Sequence, residues 1–218
     1  MALMKAKTIP KDAVTLDELE ATNYAWDIVN NWNNKLDIWA LRYGPVILGA
    51  CSAIGGVIIN RQYRMKLKIG HYGYLSSVIP ISVMPGMLTV IYHRQIISTD
   101  LLLLKNEGCP ICYEMRASAL QIGLGVIYPM ILGPTSAMMF ANRYSTYRVP
   151  DLFEGPRVIF KFLSKITKPF MGTIATIAVL QFVTSNVITY FEMKNNFTIR
   201  KKISAIEKKI MAEQGLDF

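Results

Sequence analysis

Apolar and polar positions fall along this chain in long blocks. Between Ala117 and Ala141 lie 25 residues without one charge, and Asn142-Arg143-Tyr144 closes the run. At a helical rise of about 1.5 Å per residue this stretch reaches roughly 37 Å, more than the ~30 Å of a bilayer's hydrocarbon. Three further windows, 43–59, 74–92 and 169–191, hold 17, 19 and 23 residues and no Lys, Arg, Asp or Glu. A mid-span charge costs about 2.5–3.5 kcal/mol on insertion scales, so four charge-free windows predict four transmembrane helices. The expected fold is all-α and polytopic. An amphipathic N-terminal helical segment (1–42) precedes the four-span domain (43–191), and a basic helical tail (192–218) follows it.

The spans are expected to be broken and closely packed. Pro129 and Pro134 each remove a backbone donor from the third. In lipid the freed carbonyls need partners, which Thr135, Ser136 and neighbouring helices can supply. Pro80 and Pro85-Gly86 kink the second span in the same way. The first carries small residues four apart, Gly49 with Ala53 and Ser52 with Gly56, which let helices approach closely in lipid. Packing within the chain and docking of a partner's helix both fit this face. The fourth starts at Thr167-Lys168-Pro169 and contains Gln181, Ser185 and Asn186, polar groups able to bond across helices.

Outside the spans, Thr15-Leu-Asp-Glu18 has the form of a helix-capping box. Beyond it Ile28, Val29, Trp32, Leu36 and Trp39 recur at helical spacing. That stripe fits a helix packed on its own protein, or one lying in the interface with Trp26, Trp32 and Trp39 at headgroup depth. Residues 158–163 predict a short helix on the membrane surface. In the tail Ile199, Ile203, Ile206 and Ile210 form a stripe among cations.

Composition agrees, with 52% hydrophobic residues and a mean hydropathy of +0.28. The net charge of +9 comes from cations beside the spans, among them Arg61, Arg64, Lys66, Lys68, Arg143, Arg148, Lys165 and Lys168. They read as snorkelling anchors for anionic lipid such as cardiolipin, and no basic face interleaved with exposed aromatics calls for nucleic acid. Met1–Lys11 lacks an apolar core and the first Arg is Arg42, so any mitochondrial import is expected to use internal signals. His71 and His93 read as ordinary interfacial residues.

Three cysteines are too few for a disulfide scaffold. Cys51 reads as a small residue inside a span. Cys109-Pro-Ile-Cys112 leaves three uses open: structural thiols or a local disulfide, a redox pair, and half of a zinc site. Zinc needs four ligands, and only His93, Asp100, Glu107 or Glu114 could join from that side. No residue is singled out as catalytic, cofactor-binding or metal-binding.

The order and spacing of Cys109-x-x-Cys112, Arg116, Tyr128-Pro129, Pro134 and Arg143-Tyr144 resemble the transmembrane protein 126 family of the mitochondrial inner membrane. Asn60-x-x-Tyr63-Arg64, Pro80/Pro85 with Leu88-Thr89, and Lys168-Pro169 with Leu180-Gln181 extend the resemblance over roughly 43–191. It implies a multi-pass inner-membrane protein with matrix-facing termini, although the positive-inside count favours neither orientation. It also implies an assembly factor for respiratory complex I, partnered by membrane-arm subunits and other assembly factors, with no catalytic residues to carry over.

Spans without ionisable residues lack a proton relay or a charged substrate site, which favours a non-enzymatic scaffold. The residues expected to serve helix docking are Gly49, Ser52, Ala53, Gly56, Pro129, Pro134, Arg143 and Tyr144. Two other classes stay in view. A transporter or channel would use the mid-span amides Gln121, Gln181 and Asn186; a thiol-redox enzyme would use Cys109 and Cys112.

Overall fold

A computed structural model describes residues 16–104, 109–150 and 155–213. Six helices organise them: α1 (Glu18–Asn30), α2 (Trp39–Lys66), α3 (Tyr74–Leu103), α4 (Pro110–Arg143), α5 (Pro156–Thr167) and α6 (Met171–Glu213). Four of these, α2, α3, α4 and α6, are long and apolar enough to cross a membrane. The protein is an all-α, multi-pass membrane protein, as the charge pattern predicts.

The helices outrun their charge-free windows. α2 runs 28 residues, α3 30 and α4 34, because the backbone stays helical where side chains turn polar. The stretch 93–116, which lies between the second and third charge-free windows, is helical through Leu103 and again from Pro110. α5, expected as a short surface helix, joins α6 through a 3₁₀ turn, Lys168–Phe170, whose proline lies in its first turn.

Two other expectations need correction. The α1 cap sits two residues later than Thr15, which lies outside the described residues: Asp17 is the N-cap, and its backbone N–H donates to Glu20 Oε2 at 3.4 Å. The apolar stripe from Ile28 to Trp39 is interrupted, since α1 ends at Asn30 and Leu36 is left 79% exposed. The asparagine-rich segment between them supplies the reason. The Asn34 side chain accepts from Leu36 N–H at 3.2 Å, a local bond that competes with helix.

Two apolar clusters close the bundle at its ends. At one, Ile59 and Tyr63 of α2, with Leu67 just past its end, meet Ala137, Met138 and Ala141 of α4 and Ile174 and Ile177 of α6, with α5 packed on the outside. At the other, Ala25 and Val29 of α1 meet Leu41, Leu101, Leu102, Tyr113 and Ile199. The α1 tryptophan is tied into this second cluster: Trp26 Nε1 donates to Thr99 Oγ1 at 3.2 Å, and the Arg94 guanidinium lies 4.3 Å from its ring centre. Arg64, expected as a snorkelling anchor, is instead buried. Its guanidinium donates to Ser77 Oγ at 2.9 Å and to the carbonyls of Gly70 and Tyr72 at 2.8 and 2.6 Å, which clamps the turn between α2 and α3.

Candidate functional site: a buried polar column

Between the apolar ends runs a polar stripe on α6. Gln181, Ser185, Thr189, Glu192 and Asn196 fall three or four residues apart, which places them on one helical face, and all five are buried. The lipid alternative for such groups is an unsatisfied dipole, so this stripe must turn inward. Gln181 Nε2 donates to the Cys51 carbonyl at 2.9 Å, and its Oε1 accepts from Gln121. Gln121 Nε2 also reaches Ser52 Oγ at 3.0 Å and the Leu48 carbonyl at 3.1 Å. Ser52 in turn accepts from Thr89 Oγ1 at 3.1 Å. One polar layer therefore joins α2, α3, α4 and α6.

Farther along the stripe, His93 Nε2 lies 3.1 and 3.3 Å from the two oxygens of Glu192, and Ser98 Oγ donates to Oε1 at 3.3 Å. Both side chains of the pair are fully buried. Gly44 of α2 covers the carboxylate so closely that a Cβ there would stand 2.9 Å from Oε1. His93 lies in a π-helical turn, His93–Ser98, of the kind found at functional sites. His93, expected as an interfacial residue, is thus an interior one. Ser185 Oγ, Thr189 Oγ1 and His93 Nδ1 have no hydrogen-bond partner among the described residues.

The prolines and glycines form a second set of close approaches. Pro85 has no N–H to offer the carbonyl of Ile81, four residues back, and that oxygen lies 2.5 Å from where a Gly56 Cβ would be. Pro129 likewise has none for Gly125, whose carbonyl lies 3.2 Å from a Cβ on Gly55. Each such oxygen is met by a glycine of α2, where Cα–H groups can approach it. Gly49 faces the Gly86 carbonyl, with 2.7 Å left for a Cβ, and Ala53 Cβ stands 3.1 Å from where a Cβ on Gly86 would be. Gly49, Ser52, Ala53 and Gly56 are thus occupied by helices of the chain itself. Thr135 and Ser136 serve the carbonyls of Ile131, Leu132 and Gly133, one to three residues past the Met130 carbonyl that Pro134 leaves without its donor.

The remaining predicted residues lie away from the column. Pro129 and Pro134 are buried in α4, whereas Arg143 ends that helix exposed. Tyr144 stacks on Tyr72 with ring centres 4.8 Å apart. Cys109 and Cys112 are joined as an exposed disulfide at the start of α4, and nearby Arg116 pairs with Asp100 at 3.0 Å. Among the described residues no group of three or more His, Cys, Asp or Glu is gathered where it could hold a metal.

Sequence reasoning missed His93 and Glu192, though a signal was present. They are the first residues after the second and fourth charge-free windows. Those two spans run in the same direction through the bundle, so their ends meet on one side.

The comparisons with known proteins bear on this arrangement. The family model described as Transmembrane protein 126 matches residues 27–209, which includes the whole column. A Transmembrane protein 126 of Drosophila melanogaster is 39% identical over 223 residues, covering all of both chains. Transmembrane protein 126A of Rattus norvegicus is 29% identical over 129 residues, 59% of this chain and 63% of the rat protein. The Mus musculus protein of the same name is 26% identical over an equal span. No solved structure matches. A family match across most of the chain, and a full-length relative at that identity, place this chain in the transmembrane protein 126 family.

Proposed function

We propose that this protein is a non-enzymatic assembly factor of the mitochondrial inner membrane, holding hydrophobic subunits of the complex I membrane arm, with other assembly factors, while they await incorporation. The observation that carries this reading is how α6 divides its surface. Its polar face is spent inside the bundle, while Val179, Leu180, Phe182, Val183, Val187 and Tyr190 stand exposed on the other side. In lipid such a face has no hydrophobic drive of its own, but it offers a long, rigid track against which another apolar helix can pack. Family membership supports the choice of partner.

A transporter reading would rest on Gln121, Gln181 and Asn186. Gln121 and Gln181 bond each other and α2, and Ser118 Oγ donates to Asn186 Oδ1 at 3.0 Å, so these amides serve helix contacts. Removing the protein from cells should deplete assembled complex I on native gels and leave the other respiratory complexes near normal. Unchanged complex I would end the assembly reading.

A further inference from the structure

α5 is the most amphipathic of the described helices, and among the described residues one of its faces packs on the bundle. Ile159, Phe162, Leu163 and Ile166 pack against the cluster around Tyr63 and Leu67. The opposite face carries Arg157, Lys161 and Lys165, all exposed and each four residues from the next. At 3.6 residues per turn they spread over an arc of about 80°. Beside them Phe160 is 75% exposed, lining a shallow groove with Arg157, Lys161 and Ser164. The twelve residues of α5 include no acid. A bare phenyl ring beside three cations is poorly matched to water, and none of the described residues covers it.

The position of α5 says what does. It packs on the last turns of α2, a helix that ends at Lys66, and it leads through Lys168–Phe170 into α6. Both of those helices cross the bilayer, so α5 lies where headgroups meet acyl chains. We propose that the outer face of α5 is a binding site for anionic phospholipid, with Arg157, Lys161 and Lys165 around the phosphate and Phe160 inserted toward the chains. Phe160 is the reason to choose a lipid over a free phosphate: a soluble anion would leave it bare. The site stands apart from the assembly reading, since a protein with no part in complex I would still show it.

The test uses the full chain in phosphatidylcholine bilayers with a trace of spin-labelled phosphatidylglycerol or spin-labelled phosphatidylcholine. The fraction of label immobilised at the protein gives the relative affinity. Phosphatidylglycerol should be preferred at least about fivefold, the factor expected of one cation near an anionic surface, and salt should weaken the preference. The R157Q/K161Q/K165Q variant should lose most of it, and Lys161→Glu alone should reduce it, which keeps the test available should the triple variant fold poorly. Neutralising Lys201, Lys208 and Lys209 should leave most of it in place, as should added inorganic phosphate. Equal affinity for the two lipids, full preference in the folded triple variant, an equal loss on neutralising the tail, or displacement by inorganic phosphate would each overturn the proposal.

Discussion

Glu192 illustrates how a single side chain ties two spans. Its carboxylate accepts from Ser98 and faces His93, and no solvent reaches either member of the pair. Removing one partner of such a pair leaves the other buried and uncompensated, at a cost of about 3–5 kcal/mol, whereas replacing both with apolar groups of similar volume is often near neutral. Glu192→Met or His93→Leu alone should therefore lower the thermal unfolding midpoint in mild detergent sharply. The H93L/E192M double variant should recover at least half of that loss. Strict additivity of the two single effects would show that the pair is not coupled. The same residues mark the limit of what composition could reveal. A charge-free window locates lipid contact, and it ends at the first ionisable residue whether that residue meets water or a partner. His93, Glu192 and Arg64 all stand just outside such windows, and all three are buried in the structure. Gln181 was legible as a bond across helices because a polar group inside a window has no place to go except another helix, whereas Ser52 reads in the sequence as a small packing residue and Gln121 as a mid-span amide.

At the scale of elements, the four spans could be read directly, but their lengths could not. α6 has 43 residues, about 64 Å at the helical rise, or twice the hydrocarbon thickness. Hydropathy reports the solvent around a helix, and the helix itself continues past Glu192 because nothing there breaks it. The emergent half packs on α1 and the end of α3 through Ile199 and Ile203. Lys202 also bonds Asp37, in the turn before α2, and Trp32 Nε1 donates to the same oxygen at 3.3 Å. The Lys202 contact, helped by Trp32 and opposed by partial desolvation, holds the Asp37 carboxyl below its ordinary value. A carboxyl with a lowered pKa in the folded state binds fewer protons there than in the unfolded chain. Its contribution is thus present above about pH 4 and lost as pH falls through the lowered folded value. Amide exchange around Lys202, corrected for its intrinsic pH dependence, should stay constant from pH 8 to 5 and accelerate below about 4. Asp37→Asn should remove that acid dependence; an identical profile in the variant would show that Asp37 does not hold this part of α6.

At the scale of the whole molecule, four crossings place α1 and the emergent half of α6 on one side of the membrane. The Cys109–Cys112 disulfide at the start of α4 shares that side, and α5 lies on the other. The sequence left the pair open among structural thiols or a disulfide, a redox pair and half of a zinc site, because two cysteines three apart suit all of them. The structure joins them in full view of solvent. This sets two expectations against each other. The family resemblance implies termini facing the matrix, while exposed disulfides persist in oxidising compartments and are reduced where glutathione and thioredoxin act. Sidedness can be measured without choosing a compartment. In sealed vesicles carrying a Cys51→Ser variant, a membrane-impermeant phosphine should open the disulfide only when added on the side where an impermeant maleimide labels Lys208→Cys. Ser164→Cys on α5 should be labelled only from the opposite side. Opening of the disulfide from the α5 side would remove one of the four crossings and the bundle built on them. The redox state of Cys109 and Cys112 in intact organelles then reports the orientation directly: a dithiol marks the termini as facing a reducing compartment, and a disulfide marks them as facing an oxidising one.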